Sequence, residues 1–281
     1  MILCCGEALI DMLPDSTKAG DAAFVPRTGG AVFNTAIALG RLGVETGFYS
    51  GLSQDFFGDM LRDALQDSHV DSTLATISNH PATLAFVRLV DGQAQYTFYD
   101  ENTAGRMLTP KDLPHLPDNI RTLFFGGISL VSEPCGSTYE ALMMREAERI
   151  TMLDPNIRPD FITNEAPYRA RLDRMMAQAD IVKLSDEDLH WLFGEGDLQQ
   201  MAQDVIAKGA TIVFVTEGAK GAWAYTKTHH VFVPAKAVKV VDTIGAGDTF
   251  NAGVLASMSE QELLEKSALQ AIGKPALTAV L

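Results

Sequence analysis

The sequence predicts an α/β protein, with a mostly parallel central sheet, helices on both of its faces and a small β subdomain projecting from it. Three observations carry this expectation. From about residue 120 onward, short apolar runs alternate with helical patterns, the order that winds a parallel sheet between two helical layers. The chain also opens on an apolar, strand-like run, Ile2 to Ile10. Residues 83 to 99 read differently, as two alternating strands around Asp91-Gly92, a tight-turn hairpin too hydrophilic for a central layer.

Taken in order, the first strand is expected to end at Asp11, with Pro14 and Asp15 marking the turn beyond. Gly29-Gly30 leads into a small, apolar run from Ala31 to Leu42, and Gly43 suits a left-handed helix cap. After the hairpin come a strand at 122–125, a helix at 137–149, a strand at 150–153, a helix at 166–178 and a strand at 181–184. Helices near 186–193 and 198–208, a strand at 211–216, strands around 222–241 and a helix from about 247 complete the series. One domain spanning 1–281 is expected, with segments 12–28 and 76–107 forming a β lid within it.

Composition excludes several classes. The 47% apolar and 21% charged content lies far from that of disordered chains. Thirty-six acids against 22 Lys plus Arg give a net charge of −14, which repels a phosphate backbone, so nucleic acid is not an expected partner. The longest uncharged stretch, Ser72 to Val87, is broken by Asn79, His80 and Pro81, unlike a membrane span. The N-terminus has no basic region before its apolar residues and reaches an acid at Glu7, so a cytoplasmic protein without a secretory signal is expected. Cys4, Cys5 and Cys135 form neither a disulfide framework nor a zinc spacing, and read as buried thiols.

The most informative segment runs from Asp242 to Gly253, between a strand-like Val238 to Val241 and a helix with Phe250, Val254, Leu255 and Met258 on one face. A strand entering a glycine turn and then a helix leaves unpaired amides at the positive end of the helix dipole. Gly245, Ala246 and Gly247 would let an anion approach them closely. Asp248 in that nest is placed to take a proton from an incoming hydroxyl. Nest plus base is a phosphoryl-transfer arrangement.

Here the sequence resembles the ribokinase, or PfkB, family of carbohydrate kinases, whose second signature is similar to Asp242–Gly253. The resemblance implies a three-layer α/β/α ribokinase-like fold and extends over most of the chain. Gly6 to Asp11 resembles the family's first strand, and Gly29-Gly30 with Asn34 its first signature, so Asp11, Gly30 and Asn34 become sugar-binding candidates. Asp154-Pro155-Asn156-Ile157-Arg158 resembles an Asp-x-Asn-x-Arg strand end that places Arg158 near the transferring phosphate. Thr216 to Gly221 is similar to a Thr-x-Gly-x-x-Gly turn along the nucleotide, which implicates Thr216, Gly218 and Gly221 together with Ser185, Gly245 and Gly247. ATP and Mg2+ are implied, with K+ as a further cation. Asp188 is the candidate for holding the divalent ion through water, since Ser185 to Asp188 stands where the family has Asn-x-x-Glu. Asp242 and Thr243 are the candidates for the monovalent ion. The chain ends 33 residues after Asp248, before the helix and Gly-Ala-Asn-type segment that close the family's adenine pocket, so a missing C-terminal tail is expected.

Within the family, the hairpin is expected to cover the sugar and exclude water, with Phe86, Arg88, Phe98 and Tyr99 as contact candidates. Asp100-Glu101 would repel an acidic sugar, and the chain is most similar to bacterial fructokinases. A neutral ketohexose phosphorylated on a primary hydroxyl is therefore expected. Arg88 leaves 2-keto-3-deoxygluconate as an alternative; a catalytically silent sugar- or nucleotide-binding relative and a nucleoside kinase are two more. A homodimer through the β lid is expected, since hairpin edges of this kind invite pairing. P-loop, protein-kinase, α/β-hydrolase and dinucleotide-binding motifs do not occur in the sequence.

Overall fold

The computed structural model describes residues 1–90, 93–239 and 243–281. In chain order the elements begin with β1 (Ile2–Cys5), β2 (Leu9–Ser16), β3 (Ala22–Gly29), α1 (Ala31–Arg41), β4 (Thr46–Tyr49), β5 (Gly51–Ser53) and α2 (Phe56–Asp67). They continue with β6 (Val70–Asp71), β7 (Thr76–Ser78), β8 (Thr83–Val90), β9 (Gln93–Tyr99), β10 (Thr122–Gly126), α3 (Cys135–Arg145), β11 (Ile150–Asp154) and α4 (Glu165–Gln178). The last are β12 (Ile181–Ser185), α5 (Asp186–Phe193), α6 (Leu198–Lys208), β13 (Ile212–Thr216), β14 (Gly221–Tyr225), β15 (His230–Pro234), α7 (Ala246–Glu260), α8 (Lys266–Gln270) and α9 (Lys274–Val280).

Among the described residues, nine strands form the central sheet in the order β15-β14-β13-β12-β11-β10-β1-β4-β6. It is parallel from β13 to β6, with β14 and β15 antiparallel at one edge. Alternate side chains along each strand enter opposite cores, as the pleat requires. Leu3, Cys5, Phe125, Leu153 and Val215 pack with α3, α4, α5 and α6. Ile2, Cys4, Phe124, Met152 and Phe214 pack with α1, α2, α7 and α9 on the other side. The three-layer α/β/α architecture with a mostly parallel sheet is thus the one expected. No helix among the described residues is long and apolar enough to cross a membrane.

A second, four-stranded sheet has the order β3-β2-β8-β9, and β5 pairs with β7 separately. Its origin corrects the reading of the N-terminus. The opening run is two strands, and the break between them begins at Gly6, where a side chain would stand 2.5 Å from Val32 Cγ2. The second strand then continues through Pro14 and Asp15. Beyond Met12, β2 pairs only with β3, so its other edge needs no donor from Pro14. The hairpin of β8 and β9 is present, and its Asp91-Gly92 turn lies outside the described residues. Residues 44–75, for which no element was predicted, hold β4, β5, α2 and β6. At the other end of the chain, Val238 and Lys239 belong to no strand and Val238 is 75% exposed. The expected strand into the glycine turn is therefore absent over that half, while Val240, Val241 and Asp242 lie outside the described residues.

Candidate active site

Ligands in open parallel sheets bind beyond the carboxyl ends of the strands, where the winding direction switches. Here that switch lies beside β1, since the chain passes first to β4 and later to β10 on the other side. Glu7, after β1, and Asp154, at the end of β11, lie close enough to Asp248 in the first turn of α7 to act on its charge, and Ser185 and Thr216 end the neighbouring strands β12 and β13.

Gly245 caps α7 in the left-handed region, φ 76°, which a glycine enters without steric penalty. The Ala246 N–H donates to the Thr243 carbonyl at 3.2 Å. The N–H groups of Gly247 and Asp248 find no protein acceptor among the described residues, as the first turn of a helix leaves them. Thr243 is exposed; its companion Asp242 lies outside the described residues.

Asp248 is 6% exposed. Its Oδ2 accepts from Asn34 Nδ2 at 2.9 Å and its Oδ1 from Asn156 Nδ2 at 3.5 Å, while Thr35 Oγ1 donates to its main-chain carbonyl at 3.2 Å. Burial pushes its carboxyl up to about 7, the Asn34 hydrogen bond works against that, Asp154 and Glu7 add to it, and Lys183 opposes it. A carboxylate poised near neutrality is one that can accept a proton and later release it.

Asn34 belongs to α1, which starts at Gly30, and Gly30 has φ 109°. A Cβ there would lie 2.9 Å from the Glu7 carbonyl oxygen. Next to it, the bare Gly29 leaves room for the Asp11 carboxylate, which any side chain there would strike. Burial raises Asp11 to about 6. Asp11, Gly29, Gly30, Asn34 and Asp248 are thus linked one to the next.

The second sheet divides the hairpin candidates. Asp11 pairs in register with Ala85, and Ala85 with Phe98; these three share one face, and the Phe98 ring meets Phe161 at 4.9 Å. Phe86 and Tyr99 lie on the opposite face, where Phe86 contacts Phe24 at 5.0 Å and Tyr99 at 5.5 Å. Arg88, two residues from Phe86 on the same strand, shares that opposite face. Phe86, Arg88 and Tyr99 are thus corrected: they point away from Asp11, because facing alternates residue by residue.

The remaining candidates have these surroundings. Arg158 is exposed, and its Nη1 donates to the Ile157 carbonyl at 3.0 Å. Asp188 is buried, with Oδ1 accepting from Ile157 N at 2.9 Å and Oδ2 from Ser185 N at 2.8 Å. Ser185 Oγ in turn accepts from Asp188 N at 3.0 Å. Ser185 and Asp188 form a capping box on α5, and Asp188 also pins the 155–158 loop through Ile157 N. Thr216 ends β13 beside Ser185. Gly218 faces open space, whereas Gly221 is needed because a side chain there would strike the Val233 carbonyl.

The residue that sequence reasoning missed is Lys183. It is 4% exposed, and its Nζ stands 3.0 Å from Asp154 Oδ2, which also accepts from Asn251 Nδ2 at 2.7 Å. Burial works against its charge, but Asp154, Asp188 and Asp248 overcome this and hold its pKa above the ordinary lysine value. A Cβ on Gly247 would lie 3.3 Å from Lys183 Nζ, so the ammonium abuts the glycine turn. A lysine inside the apolar run Ile181 to Leu184 was the available signal, since lysine is rarely buried without a partner.

The family model for the pfkB family carbohydrate kinases matches residues 1–274. The chain belongs to the pfkB family of carbohydrate kinases. It is 54% identical over 278 residues to a fructokinase of Rhizobium leguminosarum bv. trifolii, covering 99% of this chain and 85% of that protein. The fructokinase of Xylella fastidiosa, solved with bound ATP, superposes with a TM-score of 0.89 at 29% identity, covering 99% of this chain and 88% of that one. A double mutant of the Vibrio cholerae O395 fructokinase, solved with fructose, ADP and potassium ion, gives 0.86 at 28% identity, covering 99% and 88%. As a pfkB carbohydrate kinase, the chain is a phosphotransferase with an alcohol group as acceptor.

Proposed function

We propose that the protein transfers the γ-phosphoryl group of ATP to a primary hydroxyl of fructose. The observation that carries this reading is the buried Asp248 carboxylate, poised near 7, beside the N–H groups of Gly247 and Asp248, which have no acceptor among the described residues, and the ammonium of Lys183. Asp11, Asn34 and the Gly30 backbone hold the sugar hydroxyls. Asp248 accepts the proton of the hydroxyl that attacks. The amides of Gly247 and Asp248, with Lys183, meet the negative charge that spreads over the transferring phosphoryl oxygens. Phe98 and Ala85 form the apolar wall that keeps water from the reacting group.

The start of α7 fits a polyphosphate: the N–H groups of Gly247 and Asp248 have no acceptor among the described residues, and the glycines at 245 and 247 carry no side chain that would stand in the way. ATP supplies the phosphoryl group and a divalent ion carried on its phosphates. The protein side offers no cage for that ion, because no group of three or more His, Cys, Asp or Glu among the described residues could hold a metal. Magnesium fits such a role, since it retains water and binds largely through substrate phosphates.

Fructose is favoured over 2-keto-3-deoxygluconate. Arg88, the support for an acidic sugar, lies on the far face of its sheet, and Arg106 is engaged by Asp100 at 3.5 Å. The same proposal places the protein in the cytoplasm, supported by three free, buried thiols. It also includes a homodimer through the second sheet, supported by the exposed Phe24 and Tyr99 flanking Phe86. A coupled ADP-release assay over fructose, 2-keto-3-deoxygluconate, ribose and adenosine tests the function. Fructose should give the highest kcat/KM; a preference for the acidic sugar, or no sugar-stimulated ADP release, overturns the reading.

A further inference from the structure

Between the candidate sugar wall and the core lies a carboxylate that the proposed mechanism does not use. Glu7 follows β1 at the point where the winding of the sheet changes direction, and it is 8% exposed. Its Oε1 accepts from the N–H of Ala31, the first residue of α1, at 2.9 Å. Its Oε2 accepts from the N–H of Ser129, in the short 3-10 turn Ile128–Leu130 after β10, at 3.3 Å. One carboxylate thus ties together the two segments that leave neighbouring strands β1 and β10. Gly30 offers no side chain to cap α1, so Glu7 takes over that duty from outside the helix. Its surroundings are built around it. Gly127, with φ 69°, lies so close that any side chain there would strike the Glu7 carboxylate, and a Cβ on Gly30 would lie 3.2 Å from Glu7 Cγ.

What hangs on this clamp is the first turn of α1. Asn34 and Thr35 are the residues that hold Asp248 by its carboxylate and its carbonyl, and the Asn34 amide bonds back to Gly30 at 2.8 Å. We propose that Glu7 is a positioning residue for phosphoryl transfer, whose carboxylate fixes the start of α1 so that Gly30 and Asn34 meet the sugar while Asn34 and Thr35 hold Asp248. This inference rests on the reading of Asp248 as the base. It has an electrostatic corollary, because Glu7 and Asp154 face Asp248 as negative charges and Lys183 as a positive one. Tyr168 faces Glu7 as well. Removing the Glu7 charge should therefore ease the ionisation of Asp248.

The test is Glu7→Gln, which keeps the shape but turns one acceptor into a donor facing an N–H. Fructose KM should rise about tenfold or more while the KM for ATP stays within about threefold, since the nucleotide approaches from the α7 and β13 side. The acid limb of kcat/KM against pH should move to lower pH. Unchanged fructose KM with an unmoved acid limb overturns the inference, and so does a parallel rise of both KM values with an unmoved limb, which is what loosening of the whole fold would give. If Glu7→Gln does not fold, Ala31→Pro decides: proline is tolerated at a first helical position, removes the N–H that Oε1 accepts and puts its Cδ against that oxygen, breaking the same bond from the other side. It should raise fructose KM selectively, and wild-type KM in that variant overturns the clamp. Asp248→Asn run alongside separates the two readings. Its retention of turnover would reject the base assignment, whereas the fructose KM of Glu7→Gln would still judge the clamp.

Discussion

Asp248→Asn should make the protein more stable at pH 8 and no more stable, or slightly less, at pH 4. In the folded protein this carboxyl is raised from 3.8 to about 7, chiefly by burial, while in the unfolded chain it returns to the lower value. Below pH 3.8 both states hold the proton and the group contributes nothing. As pH rises from there toward 7, the unfolded chain ionises first, so stability is lost across that window and the full penalty stands above it. At about 1.4 kcal/mol for each pH unit, the penalty is about 4 kcal/mol. Asparagine removes it but weakens one hydrogen bond to Asn34 or Asn156, at roughly 1 kcal/mol, leaving a gain of about 3 kcal/mol. For a chain of this size that corresponds to a Tm higher by roughly 5–10 °C at pH 8. Thermal melts of both proteins at pH 4, 6 and 8 make the comparison. An equal Tm at pH 8, or a gain as large at pH 4, would refute the claim that the charge is held there against burial.

Further outcomes follow from the same geometry. Lys183→Met should lower kcat by about two to three powers of ten with fructose KM changed far less, because its ammonium faces the phosphoryl path rather than the sugar wall; steady-state kinetics with saturating ATP check this, and a pure KM effect would contradict it. Phe98→Ala should raise fructose KM about tenfold, whereas Arg88→Ala, on the opposite face, should leave it within about threefold; equal effects would reverse the assignment of the two faces. In the wild type, kcat/KM for fructose should fall as pH drops below about 7, where Asp248 gains its proton, and fall more steeply below about 6, where Asp11 does. A flat profile from pH 5 to 8 would exclude both groups.

Much of this site could be read from the chain because its parts are local. Gly245 to Asp248 are contiguous, and a glycine turn before a helix has one physical meaning wherever it occurs. Asn34 likewise lies one turn into a helix whose apolar pattern and Gly43 stop are plain. The alternation after residue 120 survives because each element there buries a whole face. What escaped depends on partners distant in sequence. Pro14 and Asp15 read as a turn because nothing local reveals that β2 has one free edge there. Phe86 and Phe98 could not be separated, since a hairpin gives two faces and only its docking decides which is inward. The capping of α5 by Ser185 and Asp188 is local, but the bond from Ile157 N to Asp188 comes from a loop 31 residues away. Glu7 carries no motif of its own; its meaning comes from Ala31 and Ser129, which the fold brings to it. Helix α2 was within reach, because Asp55 caps it and Phe57, Leu61 and Leu65 repeat at helical spacing.

The most direct measurement is fructose-dependent turnover by Asp248→Asn in a coupled ADP assay at pH 8, alongside a melt proving the variant folded. A fall in kcat of about two to four powers of ten, the scale of a lost general base, is the result the account predicts. Turnover within a few-fold of wild type, in a protein that melts normally, would contradict it.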